Sequence, residues 1–277
     1  MDMRTFPALL GAAGLLLLTG CGPDRSSGAP AVPTSLQSVG TCHTFRTQYE
    51  MVQPSDVAPP VPCDRPHRSE TYALVTIDGP LATSPTRPEP EQFDAYASRC
   101  DAETLRQYLG AGPRDAVSFS AWSRIPTREE WAGGVRTMRC EAVPPVQNAA
   151  AGPLIAFSAR DVLMKSESAA VRNCEFGTEV VTCDQPHDRE EVNAWLDLDE
   201  GPYPDDVKAA AADVCRPFVE EFLGHTLKHS PDLTIKARTP SKGDWEKDTR
   251  TVKCGVGPAA AGATVTGTLS ASAKGQA

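Results

Sequence analysis

The feature that most constrains this chain is a cysteine-containing pattern that occurs twice. Residues 61–70 read VPCDRPHRSE and residues 181–190 read VTCDQPHDRE, so Val, Cys, Asp, Pro, His and Glu recur in the same register. A second block repeats without a gap, since residues 124–140, RIPTREEWAGGVRTMRC, align with residues 238–254, RTPSKGDWEKDTRTVKC. Long blocks repeated in the same order indicate a tandem duplication. The chain therefore contains two copies of one structural unit.

The N-terminus has the features of an export signal. A basic residue, Arg4, precedes an apolar stretch from Ala8 to Leu18, and small residues then precede a cysteine in Leu18-Thr-Gly-Cys21. The apolar stretch is shorter than the roughly 20 residues that a transmembrane helix needs. The pattern predicts a lipoprotein signal peptide over residues 1–20, with Cys21 lipidated by acyl chains such as palmitate. An ordinary secretory peptide and an uncleaved N-terminus are the alternatives.

The segment after this cysteine is predicted to be a tether. Residues 21–38 are rich in Gly, Pro, Ser, Ala and Thr and contain too few apolar residues to form a core. Two or more acyl chains on one cysteine hold a protein stably on a membrane. We therefore expect a lipid-anchored protein on the extracytoplasmic face of the cell membrane, with the membrane itself as one partner.

The remaining eight cysteines are predicted to form disulfides within each copy. An even number of cysteines in an exported chain indicates disulfides, although four cysteines can pair in three ways. We favour pairing the first with the second and the third with the fourth, because Cys174 and Cys183 could face each other across a short hairpin. The cysteines are Cys42, Cys63, Cys100 and Cys140 in the first copy and Cys174, Cys183, Cys215 and Cys254 in the second.

Zinc is the alternative role for these cysteines. Cys63 with His67, and Cys183 with His187, have a C-x-x-x-H spacing that could bind a metal. The chain has no C-x-x-C pair, which structural zinc sites usually contain. We therefore predict disulfides and no metal or other cofactor.

Each copy reads as strands, a helix and further strands, so the predicted fold class is α+β with two small domains in series. The domains cover residues 39–158 and 171–272, with 159–170 as a connector. Strands are predicted at Thr71–Ile77 and Val192–Leu198, before a Gly-Pro turn in each copy.

Further elements are predicted by comparing the copies. Apolar residues at helical spacing predict one main helix near Phe93–Tyr108 and another near Val207–Phe222, the second kinked or split at Pro217. A long, proline-rich hairpin is expected after Cys42, and a closing strand is expected in the alanine-rich segment at the end of each copy.

Two H-x-x-E pairs are the most reactive-looking residues. His67 with Glu70, and His187 with Glu190, could bind a ligand or metal, or let the carboxylate orient the imidazole. The alternative is structural: in C-D-x-P-H the Asp caps a turn, Pro fixes it and His bonds a nearby carbonyl. We favour the structural role, because a duplicated fold keeps its framework in both copies but does not need two active sites.

Other candidate sites are weaker. His225 and His229 have the spacing of a metal pair on a helix, but the first copy has no histidines there. The acidic loop could attract calcium, although regular calcium-loop spacing is missing. Trp131 and Trp245 could stack on sugars, although core packing is the more common role of such residues. The acidic loop contains Asp197, Asp199, Glu200, Asp205 and Asp206.

Several functional classes are excluded. The chain has no phosphate-binding glycine loop and no G-x-S-x-G motif. It contains 36 acidic and 27 basic residues, for a net charge of -9. An acidic chain without a basic patch is a poor partner for nucleic acid.

In combination, these motifs resemble the septum formation family of actinobacterial envelope proteins. The resemblance covers both copies and implies a role near cell division or envelope assembly. One departure is the ending of each copy, because Ile155-Ala-Phe-Ser-Ala and Gly267-Thr-Leu-Ser-Ala lack the expected Gly-Ser-Leu-Arg form. The matching residues are Cys63, Asp64, Pro66, His67, Glu70, Trp131, Arg136 and Cys140, then Cys183, Asp184, Pro186, His187, Glu190, Trp245, Arg250 and Cys254.

We expect a non-enzymatic lipoprotein that binds or scaffolds envelope proteins or glycans. The residues shared by the copies are cysteines, turn formers, one Trp and one Arg, a set that lacks a nucleophile with its base. The alternative is a metal-binding or hydrolytic envelope protein that uses the H-x-x-E pairs. The two differ in geometry, since a catalytic histidine must face a cleft.

Overall fold

The computed structural model describes residues 38–45, 47–56, 58–144 and 154–274, with only the backbone of Gln48, Met51 and Lys274. The predictions for the signal peptide, Cys21 and nearly all of the tether fall outside the described residues. Within the described ranges, no helix has the length and apolar character needed to cross a membrane.

The first copy builds a four-stranded antiparallel sheet in the order β1-β2-β4-β3. Its strands are β1 (Cys42–His43), β2 (Ser69–Thr76), β3 (Ser120–Arg124) and β4 (Thr137–Val143). Its helices are α1 (Gln48–Val52), α2 (Gly79–Ala82), α3 (Asp94–Ala97), α4 (Ala102–Tyr108) and α5 (Arg128–Ala132), with a 3₁₀ turn at Pro90–Phe93.

The second copy builds a five-stranded antiparallel sheet in the order β6-β5-β7-β9-β8. Its strands are β5 (Asn173–Phe176), β6 (Glu179–Thr182), β7 (Arg189–Asp197), β8 (Leu233–Ile235) and β9 (Thr251–Pro258). Its helices are α6 (Val207–Leu223), α7 (Lys242–Trp245) and α8 (Ala271–Lys274), with a 3₁₀ turn at Leu227–His229. The structure confirms the α+β class.

Four disulfides fasten the two sheets. Cys42 pairs with Cys63 and Cys100 with Cys140 in the first copy, while Cys174 pairs with Cys183 and Cys215 with Cys254 in the second. The favoured pairing is confirmed in both copies. In each copy one disulfide closes the start of the sheet and the other joins the helical layer to the central sheet.

The main helices differ from the prediction in an instructive way. In the second copy, α6 runs through Pro217 as a single helix, so the predicted split there is wrong. Pro217 lies on the exposed face of α6, while Ala211, Cys215 and Val219 on the opposite face are buried. In the first copy the helix is interrupted between α3 and α4, where Asp101 accepts a hydrogen bond from Thr104 N–H at 2.8 Å and caps α4.

The ends of the two copies are not strands. Ile155 and Val265 each form one isolated antiparallel bridge, to His67 and His187 respectively, and the predicted closing strands are therefore single bridges in the described residues. The predicted connector is also packed. It contains 3₁₀ turns at Val162–Met164 and Ser166–Val171, and Ala159, Val162 and Leu163 are buried in the first hydrophobic core.

The long hairpin predicted after Cys42 is also absent. The chain there contains α1, and Val61 returns to form one bridge with Cys42. In the second copy, by contrast, β5 and β6 form a short hairpin whose turn contains Gly177 with a φ of 62°. Glycine adopts this left-handed conformation without a Cβ clash.

Candidate functional site

The two C-D-x-P-H turns have the same geometry. His67 and His187 are both fully buried, and each ring places Nδ1 2.8 Å from a carbonyl two residues earlier, that of Arg65 or Gln185. That hydrogen bond needs a proton on Nδ1 and leaves Nε2 as the acceptor. Neither Nε2 has a partner among the described residues. The imidazoles therefore hold the turns and face no cleft.

The aspartates of these turns do not cap them, contrary to the prediction. Asp64 and Asp184 are exposed, and within the described part of the chain neither carboxylate accepts a hydrogen bond that caps the turn. The turn is held instead by backbone bonds, with Arg65 N–H donating to Pro62 O at 2.9 Å and Gln185 N–H to Thr182 O at 3.0 Å.

The glutamates bind the segments that end their own copies, residues 155–160 and 265–270, which we call the closing segments. Glu70 accepts hydrogen bonds from Ser158 Oγ at 2.8 Å, from Ala159 N–H at 2.5 Å and from the Tyr108 hydroxyl. Burial and the hydrogen bond to Glu70 raise the pKa of Tyr108, which keeps the phenol protonated as a donor. Each carboxylate is therefore occupied by its own chain.

The second copy repeats this arrangement. Glu190 accepts hydrogen bonds from Thr268 Oγ1 at 2.5 Å and from Leu269 N–H at 2.6 Å. Burial raises the pKa of Glu190, and the two hydrogen bonds oppose that shift by favouring the charged form.

These contacts correct the alignment of the two endings. His67 bridges Ile155 where His187 bridges Val265, so Phe157-Ser-Ala-Arg160 corresponds to Gly267-Thr-Leu-Ser270. Arg160 therefore occupies the position of the arginine that the sequence comparison interpreted as missing. Its guanidinium lies 4.9 Å from the centre of the Tyr108 ring, beside Glu70.

The turns bring possible metal donors together, but the sulfurs are already bonded. Donor atoms of Cys174, Cys183, His187 and Glu190 lie within 4.8 Å of one another, and the first copy groups Cys42, His67 and Glu70 in the same way. A zinc site needs cysteine as a thiolate, whereas these sulfurs are in disulfides. Each group then offers one imidazole nitrogen and one carboxylate, fewer than the four ligands of a structural zinc site.

The other candidate ligands are dispersed. α6 ends at Leu223, so His225 and His229 are not on this helix. His225 hydrogen-bonds Ser230 Oγ at 2.7 Å, and His229 hydrogen-bonds Thr226 Oγ1 at 3.1 Å. In the acidic loop, Asp206 caps α6 through Ala209 N–H at 2.9 Å. None of the metal-like clusters in the described residues includes these side chains.

The two candidate sugar-binding tryptophans are core residues. Trp131 donates its indole N–H to Ser84 O at 3.0 Å and packs edge-on against Phe93, with Arg136 over its ring. Trp245 donates to Gly201 O at 2.9 Å. Their relative exposures of 1% and 9% leave no ring face for a sugar, so the stacking hypothesis is wrong for both.

The same framework is built around Trp245. Its ring packs edge-on against Tyr203, and the Arg250 guanidinium lies 5.2 Å from the ring centre. The Trp and Arg shared by the copies therefore stack on each other in both cores.

Sequence reasoning missed a buried charge network in the first copy. Asp56 Oδ2 lies 3.2 Å from His43 Nδ1 and 3.1 Å from Arg139 Nη2, and Arg139 Nε lies 3.3 Å from Glu141 Oε1. Burial raises the pKa of Asp56, but bonds to His43 and Ala58 N–H and the charge of Arg139 lower it below its usual value overall. The signal in the sequence was the extra length of the first copy after Cys42.

That extra length covers one face of the first sheet. We define the covering segment as residues 44–56, of which residue 46 is not described. Pro54 O accepts a hydrogen bond from Ile125 N–H at 2.9 Å, and Gln53 O accepts one from Arg124 Nη1. The short turn of the second copy leaves the corresponding face of its sheet open.

We call this surface of the second copy the open face. Trp195 is the most exposed of its side chains, at 60%, and Lys253 Nζ lies 4.1 Å from the centre of its ring. Glu175 lies 2.9 Å from both Arg189 Nη1 and Arg238 Nη2. Trp195 lies outside the repeated motifs, so the sequence did not point to it. The open face contains Glu175, Arg189, Trp195, Arg238, Thr239 and Lys253.

The architecture is that of a duplicated, disulfide-linked α+β unit whose repeated C-D-x-P-H turns form its framework. Comparison with known families identifies it further, since the profile described as septum formation matches residues 39–254 and again residues 178–277. The chain belongs to the septum formation family, as the resemblance of its motifs predicted, and this membership links it to septum formation. No curated protein and no solved structure matches the chain.

Proposed function

We propose that this protein is a non-enzymatic lipoprotein, anchored through Cys21 outside the cell membrane, that binds or scaffolds envelope components during septum formation. The observation that carries the proposal is the fate of the H-x-x-E pairs. Both histidines and both glutamates are buried, and each glutamate accepts two hydrogen bonds from its own closing segment. A general base or nucleophile must be able to reach a substrate, and these groups cannot.

The cysteines and the N-terminus support the location. Disulfides form and persist in oxidising compartments outside the cytoplasm, and each copy in this chain contains two of them. The Leu18-Thr-Gly-Cys21 sequence supplies an acylation site at the start of a polar tether.

The test is a His67→Ala, His187→Ala double variant in cells that lack the native protein. On this proposal the variant melts at a lower temperature, because two turn hydrogen bonds are lost, but supports normal septa wherever it accumulates. Tyr49→Ala, at an exposed side chain, is the matched control for substitution without structural loss. A double variant that keeps the native melting temperature yet fails to support septation would contradict a binding-only function.

A further inference from the structure

The open face is structurally equivalent to the covered face of the first copy. In the first sheet, Leu74 and Arg124 both pair in register with Arg139. In the second sheet, Trp195 and Arg238 both pair with Lys253. Trp195, Arg238 and Lys253 therefore occupy the places of Leu74, Arg124 and Arg139.

The first copy shows which chemistry this face accepts. The covering segment bends at residues 53–55 after α1 and makes two kinds of contact two residues apart. The carbonyl of Pro54 accepts from Ile125 N–H, and the carboxylate of Asp56 lies 3.1 Å from Arg139 Nη2. Phe45 adds an aromatic ring 4.6 Å from the Arg124 guanidinium. With the segment in place, Arg124 and Arg139 are only 2% and 5% exposed.

The second copy presents the same receptors without an occupant. Thr239 follows Arg238 as Ile125 follows Arg124, and its N–H has no acceptor among the described residues. The Arg238 side chain is 54% exposed. In the first copy, Ile125 N–H contacts the Pro54 carbonyl and Arg139 contacts the Asp56 carboxylate. Thr239 N–H and Lys253 offer the same backbone donor and cation at the equivalent positions of the second copy.

The charged side chains of the open face favour a partner of negative charge. Arg189, Arg238 and Lys253 are opposed by Glu175 and by Glu191, whose carboxylate lies 3.4 Å from the Trp195 indole nitrogen. These three basic and two acidic side chains give the face a net charge of +1, in a chain whose net charge is -9. Aromatic and arginine side chains with exposed apolar area are typical of protein interfaces.

We infer that the open face binds an acidic peptide segment of a partner protein. This inference rests on the proposed binding function and names its partner class. The segment accepts a hydrogen bond from Thr239 N–H through a backbone carbonyl, and it places a carboxylate two residues later on Lys253. Its neighbouring apolar side chains pack on Trp195, a larger and more exposed side chain than its counterpart Leu74, which is 37% exposed beside the covering segment.

The experiment is a calorimetric titration of the purified full chain with two probes. One probe is a peptide with the sequence of residues 44–58, TFRTQYEMVQPSDVA, and the other is a pool of peptides with a fixed Pro-Ser-Asp core. The chain variants are Lys253→Glu and, as a control, Lys228→Glu, which reverses an exposed charge outside the open face. Amide exchange at Thr239 is measured with and without each probe.

We expect saturable binding, slower exchange at Thr239, and a Kd raised at least tenfold by Lys253→Glu but changed less than twofold by Lys228→Glu. Replacing Asp by Asn in either probe should weaken binding by a similar factor. Failure of both probes to bind, or equal effects of the two charge reversals, overturns the inference.

The same variants also test two other possible occupants of the open face. A uronic-acid oligosaccharide that competes with the peptides for Lys253 with higher affinity, or self-association of the chain abolished by Lys253→Glu, overturns the choice of a peptide. None of these results bears on the septation assay of the His67→Ala, His187→Ala variant. Failure of the open face is therefore distinguishable from failure of the proposed function.

Discussion

Asp115 of the first copy and Arg172 at the start of the second form a buried ion pair, with Oδ1 and Nη1 2.8 Å apart. The same Oδ1 accepts a hydrogen bond from Ser270 Oγ at 2.7 Å, near the end of the second copy. The Asp115 backbone also bridges to Val192 of β7. One aspartate thus joins both copies, and this duplication produced an interlocked pair of domains.

Removing this carboxylate should lower the stability of both copies, which we expect to unfold in one transition. Asp115→Ala leaves Arg172 charged and buried without its partner, and breaking a buried ion pair in this way costs about 3–5 kcal/mol. Glu221→Gln is the control, because its ion pair with Arg114 crosses the same boundary but is partly exposed and contributes about 1 kcal/mol or less. Denaturant unfolding measures both. Two separate transitions in the native protein would contradict the interlock.

The same aspartate should make stability depend on acid pH. Burial raises the pKa of Asp115, but Arg172, Ser270 and Gly112 N–H outweigh that effect and lower it below its usual value. A lowered pKa in the folded state contributes stability that is present above the unfolded pKa, near 3.9, and is lost as the pH falls through the folded pKa. The native chain should therefore lose more stability between pH 5 and pH 2 than Asp115→Asn does. Parallel curves for the two proteins would show that Asp115 is not responsible.

The repeated residues predicted the framework because the pattern itself is local. β2 and β7 follow the C-D-x-P-H turns as expected, and the short spacing of Cys174 and Cys183 indicated their disulfide. The interruption between α3 and α4 depended on the Asp101 cap, a local signal that the apolar periodicity concealed. The continuity of α6 through Pro217 depended on tertiary burial of its opposite face, which one sequence does not reveal.

The candidate site was harder to predict because the roles of its residues depend on contacts between positions far apart in sequence. The roles of Glu70 and Glu190 come from segments 89 and 79 residues later. The open face exists only because a segment present in the first copy is absent from the second. A difference between the copies, rather than their shared residues, was the informative signal.

The disulfides should differ in their contribution to stability according to the loop that each closes. Cys215–Cys254 spans 39 residues and Cys174–Cys183 spans 9, and all four cysteines are buried. On the chain-entropy model the longer loop contributes about 1 kcal/mol more. Replacing each pair by alanines removes the same buried atoms, so urea unfolding of the two variants compares the loops. A larger loss from the Cys174, Cys183 pair would show that local strain or packing dominates.

Anchoring should depend on one cysteine. We expect Cys21→Ser to release the protein into the medium or to leave its signal peptide attached, because acylation at this position precedes processing of a lipoprotein. Membrane fractionation and gel mobility measure both outcomes. Cys63→Ser, which breaks a disulfide, is the control for general effects of losing a cysteine. Unchanged fractionation and mobility of Cys21→Ser would exclude the lipid anchor.

Replacing the buried Trp131 should destabilise the protein much more than replacing the exposed Trp195. Trp131→Ala removes a fully buried ring and its hydrogen bond to Ser84 O, which should cost about 3–5 kcal/mol. Trp195→Ala removes an exposed ring whose main contact is Lys253, and its cost should be about 1 kcal/mol or less. Thermal and urea unfolding of the two variants test this difference. A large loss from Trp195→Ala would mean that its ring supports the second sheet, and would remove it from the open face as a binding residue.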